Sequence, residues 1–139
     1  MFRYLVAIVL LIQGIGHLIP FTASWAPRIS KTGFSNIPWI FSNDIRIDSP
    51  IGQAFGLLGF VALVCFVTGA LGLVTRQEWW RRTLIVAAAI SIMTIVPWWN
   101  TWPQGSLIVA LLVDIAVVIV LLPPWRNHLS HNLHEVRDV

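Results

Sequence analysis

Charge is what this sequence has least of: Asp, Glu, Lys and Arg make up 11% of its 139 residues, where a water-soluble domain carries about a quarter. With 57% of the chain hydrophobic, an ordinary aqueous domain is excluded. Cysteine is nearly absent as well. The single Cys65 rules out an intramolecular disulfide and a Cys-x-x-Cys redox pair. Nothing reads as a phosphate-cradling glycine loop, a nucleophile with its base, or a metal-ligand set. No internal repeat or low-complexity stretch appears. The net charge of +3 does not point to nucleic acid, because the basic residues gather at the ends of apolar blocks, where they orient a chain in a bilayer.

What is abundant is uninterrupted hydrophobic sequence, in four blocks at residues 4–21, 51–74, 83–97 and 106–122. Crossing about 30 Å of hydrocarbon takes about 20 helical residues at 1.5 Å each. The first two blocks hold no charge. The third reaches spanning length with its flanks, Trp79 to Arg82 on one side and Trp98 and Trp99 on the other. The fourth is closed by Pro123 and Pro124 and carries one acid, Asp114. The expected fold is all-α: an integral membrane four-helix bundle over residues 1–125, with a long outer loop between the first and second helices and a short cytoplasmic tail, 126–139. The first block is read as a retained anchor, since it outruns a signal-peptide core of about 7–15 residues and no small-x-small cleavage site follows.

Four crossings place both termini on one side. That side holds Arg3, Arg76, Arg81, Arg82, Arg126 and Arg137, against Arg28, Lys31 and Arg46 on the other. The bias predicts a multi-pass protein of the cell (inner) membrane with cytoplasmic N- and C-termini. Tryptophans, whose amphipathic rings favour the headgroup level, mark the same boundaries: Trp79, Trp80 and Trp125 on the inner side, Trp25, Trp98, Trp99 and Trp102 on the outer, with Trp39 in the outer loop.

The 22–50 loop carries the breakers Pro27, Gly33, Pro38 and Pro50 and an apolar cluster of Phe34, Ile37, Trp39, Ile40 and Phe41, so it should lie over the bundle. The alternation of residues 45–48 fits a short strand of a hairpin turning at 42–44. In the tail, Leu129, Leu133 and Val136 have helical spacing. Its histidines, His128, His131 and His134, spread over too broad a face to form a metal site, and none is predicted.

The informative residues are those hydrocarbon should reject. An ionisable group at mid-span costs about 2.5–3.5 kcal/mol on insertion scales, so Asp114 must face protein or water. Ser106, Ala110 and Asp114 recur every four residues as one small, polar stripe. Gln13, Gly16, His17 and Pro20 form the counterpart on the first helix. Counting from the helix ends brings Gln13 and Asp114 to similar depth, so a cluster of Gln13, His17 and Asp114 forms if the two helices approach. Two readings compete: interhelical hydrogen-bond glue, or a proton relay or ligand-polarising site. Gly52, Gly56 and Gly59 in the second block allow close helix packing. On the third, Ser91 and Thr94 should satisfy themselves by bonding back to their own helix.

The run Gln13-Gly14-Ile15-Gly16-His17-Leu18, the run Phe55-Gly56-Leu57-Leu58-Gly59 and the segment Gly69-Ala70-Leu71-Gly72-Leu73-Val74-Thr75-Arg76, with the long loop after the first helix, resemble the DoxX-like membrane proteins. The resemblance implies a four-helix bundle associated with a quinone-linked oxidoreductase system, as a subunit or accessory. It carries no catalytic residue onto this chain, and quinone enters only by that resemblance. The turn Pro97-Trp98-Trp99-Asn100-Thr101-Trp102-Pro103 lies outside the pattern. The leading expectation is a non-catalytic membrane subunit, its partners being the bilayer and a membrane protein or further copies of itself. The alternatives are an enzyme component binding quinone or another lipophilic molecule near His17 and Asp114, or an oligomeric transporter protomer, which four spans without broken helix pairs support poorly.

Overall fold

A computed structural model describes residues 2–26, 38–40 and 45–122. Among these every regular element is helical and there is no strand. The first is α1 (Phe2–Gly16), followed after one residue by α2 (Leu18–Trp25). The interruption follows from Pro20, which has no N–H for the Gly16 carbonyl and crowds it with its ring. The chain tightens there, and the His17 N–H bonds the Gly14 carbonyl at 3.0 Å. The two segments still make one apolar stretch, Arg3–Trp25. It ends at Ala26, held out of helical geometry by the proline that follows.

α3 (Pro50–Thr75) begins with a well-formed cap: the Ser49 side chain accepts the Gly52 N–H at 3.2 Å and Pro50 fills the first helical position. It ends at Arg76, whose φ of 60° is left-handed, while the N–H groups of Arg76 and Gln77 close on the Gly72 carbonyl. α4 (Trp80–Ile95) runs into a single 3-10 turn, Val96–Trp98, around Pro97. α5 (Gln104–Leu121) stops at Leu122, extended ahead of Pro123. The segment expected as a strand at 45–48 holds no strand and runs into a turn at Ile47 and Asp48. Its Arg46 and Asp48 side chains pair at 3.2 Å and the Ser49 N–H bonds the Arg46 carbonyl, so the helix cap imposes the local geometry. The tip at 42–44, most of the loop's apolar cluster and the tail with His128, His131 and His134 lie outside the described residues.

α3 is the centre of the packing, with α1, α2 and α4 all against it, and α5 packs on α4. The core is built from Ala7, Leu10, Phe66, Ala70, Leu84, Ala87 and Ala88. Small residues set the spacing. At Gly56 a Cβ would overlap Ser24 Oγ on α2, and at Gly69 it would overlap the Leu84 side chain on α4. Side chains of the neighbouring helices therefore fill the space a Cβ would take, the close packing small residues give apolar helices. The outward faces stay apolar: Leu5, Ile12, Val109 and Val120 are all at least 60% exposed.

Three helices are long and apolar enough to cross a membrane: Arg3–Trp25, Pro50–Thr75 and Trp80–Trp98. The fourth expected span is the shorter apolar helix Gly105–Leu121. Its limit is set by Pro103 before it and Pro123 after it.

Candidate functional site

The polar residues of three helices meet inside the bundle. Gln13 comes from α1, His17 from the break, Ser91 from α4 and Asp114 from α5, and all are buried, Ser91 and Asp114 completely. Each position has a local cause. The break that Pro20 forces removes the His17 N–H from the Gln13 carbonyl, its partner in an unbroken helix. His17 replaces it with its own ring, Nδ1 lying 3.0 Å from the Gln13 oxygen. The ring also lies beside Phe66, with centroids 5.8 Å apart, and the His17 carbonyl passes 3.6 Å from where a Cβ on Gly59 would be.

Gln13 reaches α5 by two bonds, its Nε2 donating to Asp114 Oδ1 at 3.1 Å and to the Ala110 carbonyl at 3.2 Å. Ser91 Oγ contacts Asp114 Oδ2 on one side and His17 Nε2, at 2.8 Å, on the other. A chain of four side chains thus runs Gln13, Asp114, Ser91, His17 and returns through the His17 ring to the Gln13 backbone.

Counting hydrogens shows what this chain can do. The Gln13 carbonyl can only accept, so His17 Nδ1 carries a hydrogen. Both hydrogens of the Gln13 amide are engaged. Ser91 has one hydrogen and two partners, so one partner must donate to it. Either Asp114 is protonated on Oδ2 and donates to Ser91, which donates to a neutral His17, or an imidazolium donates to Ser91, which donates to the carboxylate. Both arrangements have the same net charge. They interconvert by shifting one hydrogen along each of two bonds, with no other group moving.

The structure therefore brings together Gln13, His17 and Asp114 and adds Ser91, which the sequence reading had assigned to its own helix. Thr94 does bond back, to the Ser91 carbonyl at 2.8 Å, but Ser91 does not. The signal was present: Ser91 stands one turn beyond Ala87 and Ala88, which are fully buried, so its hydroxyl lay on the innermost face of α4. Two members of the expected stripes turn elsewhere. Gly16 is exposed with nothing near it, because at about 100° per residue the buried face centres on Leu10, Gln13, Gly14 and His17. Ser106 is exposed and caps its own turn by bonding the Pro103 carbonyl at 2.8 Å.

Gly52, Gly56 and Gly59 are buried on α3. At Gly52 a Cβ would overlap the Ile47 backbone, and Gly56 and Gly59 face α2 and Pro20. Among the tryptophans, Trp25, Trp39 and Trp79 are exposed, and Trp80, Trp99 and Trp102 are half-buried. Trp25 Nε1 donates to the Gln53 carbonyl at 3.1 Å, and Trp39 Nε1 to that of Val96. Trp98, expected as an interface anchor, is 3% exposed and packs with Ala23 and Ile47, and among the described residues its Nε1 has no partner. Trp125 lies outside the described residues. Among the described residues no three His, Cys, Asp or Glu side chains are grouped so as to hold a metal ion. No family profile, curated protein or solved structure matches the chain.

Proposed function

We propose that this chain is a four-span integral protein of the cell membrane, with cytoplasmic termini, that serves as a non-catalytic subunit or accessory of a membrane complex. In this reading the Gln13, Asp114, Ser91 and His17 chain is the pin that fixes how α1, α4 and α5 pack. The observation that carries it is closure. Asp114 and Ser91 have no exposed surface, the polar atoms of the chain other than Gln13 Oε1 pair within it or with adjacent backbone, and neither residue lines the groove at Arg3 or the small pocket at Trp98. A site that accepts a substrate needs room beside its polar groups. A packing pin does not.

Membrane placement is supported by the three long apolar helices and by the mid-helix acid, which reaches a protein partner as an acid surrounded by lipid must. The arginine bias supports the orientation. The DoxX-like resemblance makes a quinone-linked redox complex the first partner to seek. The competing reading, a quinone or other lipophilic molecule held beside His17 and Asp114, requires the helices to part there. Purification in gentle detergent, followed by identification of co-purifying proteins and pigments, separates the two. A stoichiometric protein partner is expected. A homogeneous homo-oligomer carrying quinone would support the enzyme reading instead.

A further inference from the structure

At the arginine-rich end, where α1 starts, α3 stops and α4 starts, the helices leave an open groove of about 590 Å³. Three of its lining residues are arginines, Arg3, Arg76 and Arg81, against one acid, Glu78. Among the described residues the one ion pair joins Arg46 and Asp48, away from this groove, so none of its three guanidinium groups forms an ion pair there, with Glu78 or any other carboxylate.

Two of these groups rest on a neighbouring ring. Arg3 lies over the Tyr4 ring, 4.9 Å from its centroid, and donates to the Tyr4 hydroxyl at 3.0 Å. Arg81 lies over the Trp80 ring at 5.4 Å. Arg76 occupies the left-handed cap of α3 at φ 60°, where glycine or asparagine is the usual residue and a larger side chain is strained. Glycine would end this helix with less strain; an arginine there brings a positive charge that suits the negative end of α3 and lines the groove. The first turn of α4 carries no acid, so its positive end is set against the negative end of α3, which stops at the same groove.

The surroundings are those of a lipid headgroup. Leu73 gives the groove an apolar wall, and Trp79 and Trp80 are seated on Gly72, where a Cβ would come within 2.9–3.1 Å of them. Indoles at a helix end sit at the level where the glycerophosphate of a phospholipid lies, and arginines presenting a fork of donors match its phosphate oxygens. We propose that this groove binds the phosphate headgroup of one anionic phospholipid of the cytoplasmic leaflet, its acyl chains lying along the apolar flanks of the bundle. The proposal rests on the membrane placement above and not on the role of the polar pin.

The test is native mass spectrometry of the full chain released from nanodiscs of phosphatidylcholine doped with phosphatidylglycerol. Recovery of the chain in the nanodisc fraction checks the placement separately. One retained phosphatidylglycerol per chain is expected, in preference to phosphatidylcholine. Arg76→Gly removes the charge while relaxing the backbone, so the fold is kept. It should weaken retention about fivefold, the equivalent of about 1 kcal/mol per basic residue near a charged surface, and adding Arg3→Gln should weaken it further. Arg82→Gln, at the same end but not lining the groove, should leave retention unchanged. Equal loss in Arg76→Gly and Arg82→Gln would overturn the proposal in favour of a diffuse charged surface. Equal retention of both lipids would overturn it outright. Displacement of the lipid by millimolar inorganic phosphate, with phosphate adducts in its place, would reassign the groove to a soluble phosphate.

Discussion

Replacing Ser91 by alanine should destabilise the bundle more than neutralising Asp114. The reasoning comes from the hydrogen count. Ser91→Ala removes one hydroxyl and leaves two buried groups, Asp114 Oδ2 and His17 Nε2, without the partner each has now. Orphaning a buried polar group costs about 1–3 kcal/mol, whereas interhelical hydrogen bonds in membranes average about 0.6 kcal/mol because the separated helices find other partners. Taking the low end for each group puts Ser91→Ala at about 2 kcal/mol, or roughly thirtyfold in the folding equilibrium. Asp114→Asn reproduces the arrangement with a protonated Asp114: its carbonyl oxygen accepts from Gln13, and its amide donates to Ser91, which donates to a neutral His17. One amide hydrogen is left over, and the expected loss is within about 1 kcal/mol. The assay is reversible unfolding of the purified chain in mixed micelles of increasing dodecyl sulfate fraction, with the reconstituted helical signal as readout. A larger loss in Asp114→Asn than in Ser91→Ala would refute the reasoning, because it would mean that the carboxylate's charge, and not the closed set of hydrogen bonds, holds α5 in place.

Gly56→Ala should destabilise the same preparation by about 1–3 kcal/mol, since its Cβ would overlap Ser24 Oγ, and Gly16→Ala, with open space around it, should be neutral or slightly stabilising; equal effects in unfolding titrations would contradict the packing of α2 on α3. Asp114→Leu should raise the fraction of α5 inserted in a translocon assay, because it removes an insertion cost of about 2.5–3.5 kcal/mol, and unchanged insertion would argue against a membrane depth for this residue. Trp98→Phe should leave stability within about 1 kcal/mol of the parent, as the indole N–H it deletes has no partner among the described residues; a loss above 2 kcal/mol in the same titration would reveal a partner for it. A reporter active only in the cytoplasm, fused after Val139, should give signal, and activity confined to a reporter that works outside the cytoplasm would reverse the orientation.

How far the sequence led is clearest at the polar residues. Gln13, His17 and Asp114 could be found from sequence because apolar blocks make any polar residue conspicuous, and helical rise alone set Gln13 and Asp114 at matching depth. Ser91 escaped because a serine in an apolar helix can bond its own backbone, so its partner depends on which helix faces it, and that is a tertiary fact. Gly16 was misplaced for a related reason: spacing by three and four defines a face about 100° wide, and only the packing against Phe66 and Leu63 at Gly14 decides where its edge falls. The turn at 45–49 read as a strand because Ile45 and Ile47 alternate with charges. The Ser49 cap and Pro50 that bend it were visible, but their influence reaches backward along the chain, beyond any strand template. Trp98 looked like its neighbours in the tryptophan-rich turn, and nothing local could distinguish the indole that turns inward.

The order of packing also has a consequence for how the protein is made. α3 lies against the segment synthesised before it, α4 lies against α3, and α5 lies against α4, so each helix finds its dock already present as the ribosome delivers it, and few rearrangements are needed in the bilayer. The polar chain breaks this sequence: Gln13 bonds Asp114 and Ala110, 101 and 97 positions on, and His17 bonds Ser91, 74 positions on. Until the last helix emerges, Gln13, His17 and Ser91 wait beside one another without their acid, and a nascent chain halted before α5 would present that open polar face to any chaperone or partner able to fill it.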